Sequence, residues 1–240
     1  MSKQNNFWNK EYGKSNRTGG ANPHLALSTE PSEDLEKFSR YLIREHGKKF
    51  LNVTAQALDV GCGNGRNLIY LANAFGMRGV GYDLSEVAIT VAKKAGEGLP
   101  IKFFVQDMEK PIPLPDNSVT IALDMMSSHV LKQAGRENLR QEILRVLKPG
   151  GWLFFKSFLL DDDSHAKRLL RESPGDEMGM YIHPEIHTAE YVWTEESVRG
   201  FFEPYFTIHK IEKSFKHKHA DGSAWKRRTI VAYLEKGSSF

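Results

Sequence analysis

The chain has 240 residues and a mass of 27.3 kDa, with 40% hydrophobic residues, enough for one α/β domain with a sizeable core. Its 33 Lys+Arg and 30 Asp+Glu give a net charge of +3, too little to mark a nucleic-acid binder by itself. A lone Cys62 excludes an intramolecular disulfide and a multi-cysteine metal site. Met1 to Lys10 carry no apolar leader segment and no run of 18 apolar residues occurs, so a soluble, cytoplasmic protein is expected.

In chain order, Phe7, Trp8 and Tyr12 form a short aromatic cluster, and the Gly- and Pro-bearing residues 13–32 read as loop. Ser32 is placed to cap a helix with Glu33 and Asp34 in its first turn. Leu35, Phe38 and Leu42 continue that helix to about Glu45, and Gly47 stops it. From Ala55 strands and helices alternate. Ala55–Val60 reads as a strand, and Leu68, Leu71, Ala72 and Phe75 as a helix ended by Gly76. Val80–Tyr82 is the next strand, followed by a helix capped by Ser85. Strands Ile101–Val105 and Val119–Leu123 come next, then a helix carrying Leu139, Ile143 and Leu147. Pro149-Gly150-Gly151 stops that helix before strand Trp152–Lys156. Such alternation predicts a parallel sheet with helices on both faces.

Residues 158–193 have few periodic apolar positions and read as an inserted segment of loop or short helix. Thr194 can cap a helix burying Val198, Phe201 and Phe202. Phe206–Ile211 and Thr229–Leu234 read as strands joined by a polar connection, which makes the pair antiparallel. The expected layout is thus an N-terminal cap over 1–46 and a core over 47–240, with the insert at about 158–193.

The chemistry concentrates in Asp59-Val60-Gly61-Cys62-Gly63-Asn64-Gly65, on the turn after the first strand. Glycines there allow a tight turn and close approach of a ligand to the backbone. The carboxyl end of that strand is where a doubly wound sheet binds ligands. Arg66 stands where a dinucleotide fingerprint needs its third glycine, so a pyrophosphate site is disfavoured. Asp83, 18 residues after Gly65, ends the second strand. It can accept both hydroxyls of a ribose or cap the following helix. Asp107 ends the third strand. It can accept from the exocyclic amine of adenine, with the Met108 N–H donating to a ring nitrogen.

These segments resemble the class I S-adenosylmethionine-dependent methyltransferases from about Ala57 to Phe155. Asp59 to Gly65 is similar to the family's first motif, Gly81-Tyr82-Asp83-Leu84-Ser85 to its ribose loop, and Gln106-Asp107-Met108 to its adenine site. Leu147-Lys148-Pro149-Gly150-Gly151 is similar to the turn before its fifth strand. The run Gly65 to Ala72 resembles the small-molecule branch that includes the methyltransferase type 11 and tellurite-resistance-like members. Thr120 departs from the family, which often has Asp there.

The resemblance implies a Rossmann-like α/β fold, a seven-stranded, mostly parallel, doubly wound sheet with an antiparallel C-terminal strand and helices on both faces, and S-adenosylmethionine as cofactor. Gly61, Cys62, Gly63, Asn64 and Gly65 would surround its methionine moiety, Asp59 would meet its amino group, and Asp83 and Leu84 its ribose. Asp107 and Met108 would hold the adenine. Asp124 and Met125, with Met126, would lie near the transferring methyl, and Trp8 and Tyr12 would form an aromatic lid.

Cys62 as a nucleophile is rejected, because it lies inside the cofactor loop and a small buried cysteine packs. Asp124-Met125-Met126-Ser127-Ser128 offers neither a nucleophilic cysteine nor an N/D-P-P-Y signature, which disfavours methylation of nucleic-acid bases. His129 is the candidate general base. His183 and His187 have helical metal-ligand spacing, but Pro184 between them argues against a metal, and none is expected. Phe201, Phe202, Phe206 and Phe215 read as core.

Acceptor residues are sought in the insert, at Tyr181, His183, Glu190, Tyr191 and Trp193, an aromatic group with one acid suited to a cationic or planar small molecule. Residues 209–236 carry eight Lys/Arg against three acids. Such a stretch is either a solvated hairpin loop or a face for RNA or another anion. The expected acceptor is a small molecule. The alternatives are an RNA or protein methyltransferase, or a cofactor-binding protein without transfer activity. The oligomeric state is left open.

Overall fold

The computed structural model describes residues 3–15, 28–214 and 227–237. One seven-stranded sheet organises them. Its strands are β1 (Gln56–Val60), β2 (Arg78–Asp83), β3 (Ile101–Val105), β4 (Val119–Met125), β5 (Leu147–Phe158), β8 (Phe206–Ser214) and β9 (Thr229–Lys236). Their order is β3-β2-β1-β4-β5-β9-β8. The first five run parallel, while β9 is antiparallel to both β5 and β8. The chain leaves β1 for β2 on one side and returns through β4 on the other. The carboxyl ends of β1 and β4 therefore flank the switch point where a ligand crevice opens.

Strand alternation divides the core in two. On one face Ala57, Ile121, Leu123, Trp152, Phe154 and Tyr233 pack under α2 (Glu33–His46), α3 (Arg66–Phe75) and α4 (Glu86–Ala95). On the other, Leu58, Val60, Ala122, Leu153, Phe155 and Ile230 pack under α5 (Gln133–Val146) and α7 (Glu195–Phe202). Both cores are continuous because parallel strands covered on both faces are apolar on both faces.

The expected elements are present, with several differences. Lys3–Ser15 form a helix, α1, so the aromatic cluster and Gly13 are helical. Leu147 belongs to β5, since it pairs with Val119 and ends the helical hydrogen bonding. Gly150, at φ 72°, bends the strand entry. The insert contains α6 (Ser164–Glu172) and a hairpin of β6 (Met180–Ile182) and β7 (Ala189–Tyr191). Ser32 occupies the cap position of α2 without a side-chain capping bond, and its N–H donates instead to Asn67 Oδ1 at 3.2 Å. Phe215 lies outside the described residues.

Candidate active site

The loop after β1 holds three glycines in the left-handed region, Gly61 at φ 65°, Gly63 at φ 54° and Gly65 at φ 78°, where side chains are strained. A Cβ on Gly61 would collide with Ser127, and one on Gly65 would lie 2.6 Å from the Phe103 ring. A Cβ on Gly63 would collide with the Tyr12 hydroxyl, so α1 already stands over that glycine. Cys62 is buried, and its N–H donates to the Tyr82 carbonyl at 3.0 Å. Burial, then the neighbouring Asp59 and Asp83, push its thiol well up, which keeps it protonated and inert.

Asp59 is buried, and its Oδ2 has no hydrogen-bond partner among the described residues. Burial raises its carboxyl well above the usual range, Arg66 opposes this, and Asp83 and Asp124 add to it. Asp83 Oδ2 accepts from the Gly63 N–H at 2.9 Å and Oδ1 from the Ser85 N–H at 2.8 Å. Burial raises the Asp83 carboxyl, while the Ser85, Gly63 and Leu84 N–H groups lower it. The cap of α4 is Ser85, whose Oγ accepts from the Ala88 N–H at 3.1 Å, so Asp83 is not the helix cap. Asp107 Oδ1 accepts from the Glu109 N–H at 2.9 Å and closes a local turn.

These strand ends border one cleft. Trp8 and Tyr12 of α1 cover it, and Gly61, Asp83, Leu84, Asp107 and Met108 line it from the ends of β1, β2 and β3. Met126, Ser127, Val130 and Leu131 form the wall after β4. Asn64 turns away from it, donating through Nδ2 to the Ser28 carbonyl at 3.0 Å. Helix α1 is docked by Asn9, whose Oδ1 accepts from Ser85 Oγ at 2.8 Å and the Val87 N–H at 3.3 Å. Asn9, Ser127, Val130 and Leu131 carry no sequence signal of their own. Only the strand-end position of the last three points to the cleft.

Of the other expected site residues, Asp59, Cys62, Gly63 and Gly65 are not in the cleft lining either, and the three expected after β4 face elsewhere. Asp124 is buried, and its Oδ1 accepts from Ser127 Oγ at 2.7 Å and the Ser128 N–H at 3.2 Å, so it holds the wall in place. Met125 points to the α3 side, where its sulfur lies 3.5 Å from Asn67 Nδ2. The left-handed Met126, at φ 58°, breaks the strand alternation and turns Met126 and Ser127 to the cleft. His129, the candidate base, sits in the 3-10 turn Ser128–Val130 and faces the other way. It packs edge-on against Phe158 at 4.9 Å, and its Nδ1 is buried without a hydrogen-bond partner. Burial, helped by Arg227, lowers its pKa to about 3.

The insert also differs from expectation. Glu190 is not open to a cation: its Oε2 takes the Tyr181 hydroxyl at 2.8 Å and Arg227 Nη1 at 2.5 Å. Burial pushes the Glu190 carboxyl up to about 8, and burial, opposed by Asp163, takes the Arg227 guanidinium down to about 10. Tyr191 lies under the Arg136 guanidinium at 3.8 Å, and Trp193 packs with Phe155, Phe201 and Phe202. His183 Nδ1 accepts from the N–H groups of Glu185 and Ile186.

In the basic stretch Lys210 pairs with Glu212, and Lys213 with Asp161 and Glu195. The buried Lys236 ammonium donates to Asn117 and to the Leu144 and Leu147 carbonyls. Lys216, His217, Lys218, His219 and Lys226 lie outside the described residues. Among the described residues no group of three or more His, Cys, Asp or Glu is arranged for a metal, and no helix is long and apolar enough to cross a membrane.

A family model described as a methyltransferase domain matches residues 57–151. The chain is 30% identical over 155 residues to a glycine/sarcosine/dimethylglycine N-methyltransferase of Actinopolyspora halophila, covering 63% of this chain and 27% of that protein. It is 27% identical over 134 residues to a fatty-acid O-methyltransferase of Mycolicibacterium smegmatis, covering 55% of this chain and 48% of that one. The chain thus spans half or less of these relatives. Its fold matches a SAM-dependent methyltransferase of Methanosarcina mazei with TM-score 0.65 at 24% identity, over 78% of this chain and 95% of that one. It also matches the Burkholderia thailandensis 1,6-didemethyltoxoflavin-N1-methyltransferase, solved with 1,6-didemethyltoxoflavin and S-adenosylhomocysteine, with TM-score 0.61 at 17% identity over 85% of this chain and 79% of that one. The glycine loop, the strand-end acids and the matched segment give one answer: residues 57–151 carry a methyltransferase domain, in a fold shared with S-adenosylmethionine-dependent methyltransferases.

Proposed function

We propose that the protein methylates a small molecule, using S-adenosylmethionine bound in the cleft. The observation that carries this is the convergence of the left-handed glycine loop, Asp83 and the Asp107-Met108 turn at the switch point, under Trp8 and Tyr12. The residues present fit the cofactor. The buried, unpartnered Oδ2 of Asp59 suits an ammonium group. Each Asp83 oxygen, with one N–H already bound, keeps a lone pair for a ribose hydroxyl. Asp107 and the Met108 N–H would take the adenine edge, and Trp8 and Tyr12 would exclude water.

When bound, S-adenosylmethionine supplies a methyl group already activated by its sulfonium. The protein's part is then alignment of the acceptor, worth ~7–11 kcal/mol of the barrier. The wall facing the acceptor is largely apolar, with Met126, Val130 and Leu131 beside one hydroxyl, Ser127. That wall, and the small molecules named for the relatives, support a small-molecule acceptor. The pairing of Lys210, Lys213 and Lys236 weighs against an RNA face. A buried free cysteine fits a reducing compartment, and we place the reaction in the cytoplasm.

The test is incubation of the full chain with methyl-labelled S-adenosylmethionine and separate pools of small metabolites, RNA and protein. Label is expected in the metabolite pool. Label in RNA or protein, or failure to bind the cofactor, would reject the proposal.

A further inference from the structure

A buried polar cluster lies behind the cleft wall, and the cofactor reading uses none of it. Arg227, just ahead of β9, has its guanidinium carbon 4.1 Å from the centre of the Phe158 ring and 4.9 Å from that of Tyr181. With Nη1 bonded to Glu190, these contacts fix the guanidinium plane and leave Nη2 buried without a hydrogen-bond partner. His129 packs against the same Phe158 ring, and its Nδ1 is also unpartnered. Thr229 stands opposite Phe158 in the β5–β9 ladder, and its buried hydroxyl is unpartnered too.

Three polar atoms without partners thus gather about one ring. A guanidinium N–H and a hydroxyl are donors, and imidazole Nδ1 donates in one tautomer. The acids nearby are engaged: Glu190 Oε2 already takes two donors, and Asp163 takes the N–H groups of Ala166 and Arg228. A buried donor left unmet is destabilising, so a partner for these atoms is favoured. A donor surplus beside a fixed guanidinium suits an oxyanion, and a planar carboxylate matches its geometry.

We propose that Arg227, His129 and Thr229 form a subsite for a carboxylate group of the methyl acceptor. The inference rests on the methyltransferase reading above and names the acceptor's class: an organic acid, in place of the cation that an aromatic group with a free Glu190 would suit. His129 of this cluster and Val130 of the cleft wall are consecutive in one turn, which places the cluster next to the cleft along the chain.

The test is calorimetric titration of the full chain, saturated with S-adenosylhomocysteine, with acetate, benzoate and octanoate and with their amides. At least one acid is expected to bind saturably, and its amide at least tenfold more weakly. Arg227→Gln should weaken the acid at least tenfold and leave S-adenosylhomocysteine binding unchanged. Glu190→Gln, which removes the competing charge and keeps an oxygen for Tyr181 and Arg227, should retain or tighten it. If melting shows Arg227→Gln unfolded, Arg227→Lys carries the same tenfold expectation, because the charge stays and the second N–H edge is lost. Equal binding of acid and amide, no saturable binding of any acid, or indifference to the Arg227 variant would overturn the subsite. Failure of the wild-type chain to bind S-adenosylhomocysteine would instead overturn the cofactor reading.

Discussion

Asp83 and His129 are tested by different measurements, one by ligand binding and the other by stability. Asp83 couples the glycine loop to the start of α4 through the N–H groups of Gly63 and Ser85, so its loss affects both ligand and loop. Asp83→Ala is expected to weaken S-adenosylhomocysteine binding by about 1.5–3 kcal/mol, roughly 10- to 150-fold, the value of hydrogen bonds to a charged group. Calorimetry showing unchanged affinity would remove the ribose role. His129 controls acid stability. It is buried and neutral with a folded pKa of about 3 against an ordinary 6.5, so below pH 6.5 the unfolded chain binds the extra proton. Its stabilising contribution is present above pH 6.5 and lost as pH falls toward 3. Between pH 7 and pH 5 that loss amounts to about 2 kcal/mol. Urea unfolding at the two pH values should show His129→Gln losing less stability than the wild type by about that amount. Equal losses would mean that His129 is protonated in the fold.

Among the elements, α1 and α7 contrast in what holds them. Helix α1 contributes nothing to the two large cores and is docked through Asn9 at the start of α4. The double variant Trp8→Ala, Asn9→Ala should therefore speed release of S-adenosylhomocysteine in stopped-flow measurements while the unfolding midpoint hardly moves. A large fall in midpoint would show α1 to be part of the cooperative fold. Helix α7 buries Val198 and Phe202 and begins with a reciprocal capping box between Thr194 and Ser197. Thr194→Ala should cost about 1 kcal/mol in urea unfolding. No change would mean that packing alone sets the start of the helix.

At the scale of the whole molecule, charge is balanced locally among the described residues. The +3 net charge conceals a basic C-terminal stretch, but Lys210, Lys213, Arg227 and Lys236 are each engaged by nearby acceptors. A cation already paired has few counterions to displace from a phosphate. Single-stranded RNA should thus bind weakly at low salt and not at all at physiological salt, with a shallow salt slope, because each neutralised phosphate adds only about −0.7. Tight binding that persists in salt would mean that the acceptor class is wrong. Replacing Arg227 cannot test that surface, because it breaks the buried pair with Glu190.

The strand–helix alternation, the glycine loop and the acids at consecutive strand ends are legible in the sequence because hydrophobic period and turn chemistry are local properties. So is the exclusion of a dinucleotide fingerprint, which one residue, Arg66, decides. Only the tertiary structure decides where the side chains after β4 face, because the left-handed turn at Met126 sends Ser127 to the cleft and His129 away from it. Pairing with Val119 draws Leu147 out of the helical pattern and into β5. The polar Lys3–Ser15 segment has too weak a pattern to announce a helix, and its place over Gly63 depends on the docking of Asn9 at α4. The state of Glu190 depends on Arg227, 37 positions away along the chain. No spacing rule reaches that far, because such contacts follow from how the insert and β9 pack at the carboxyl edge of the sheet.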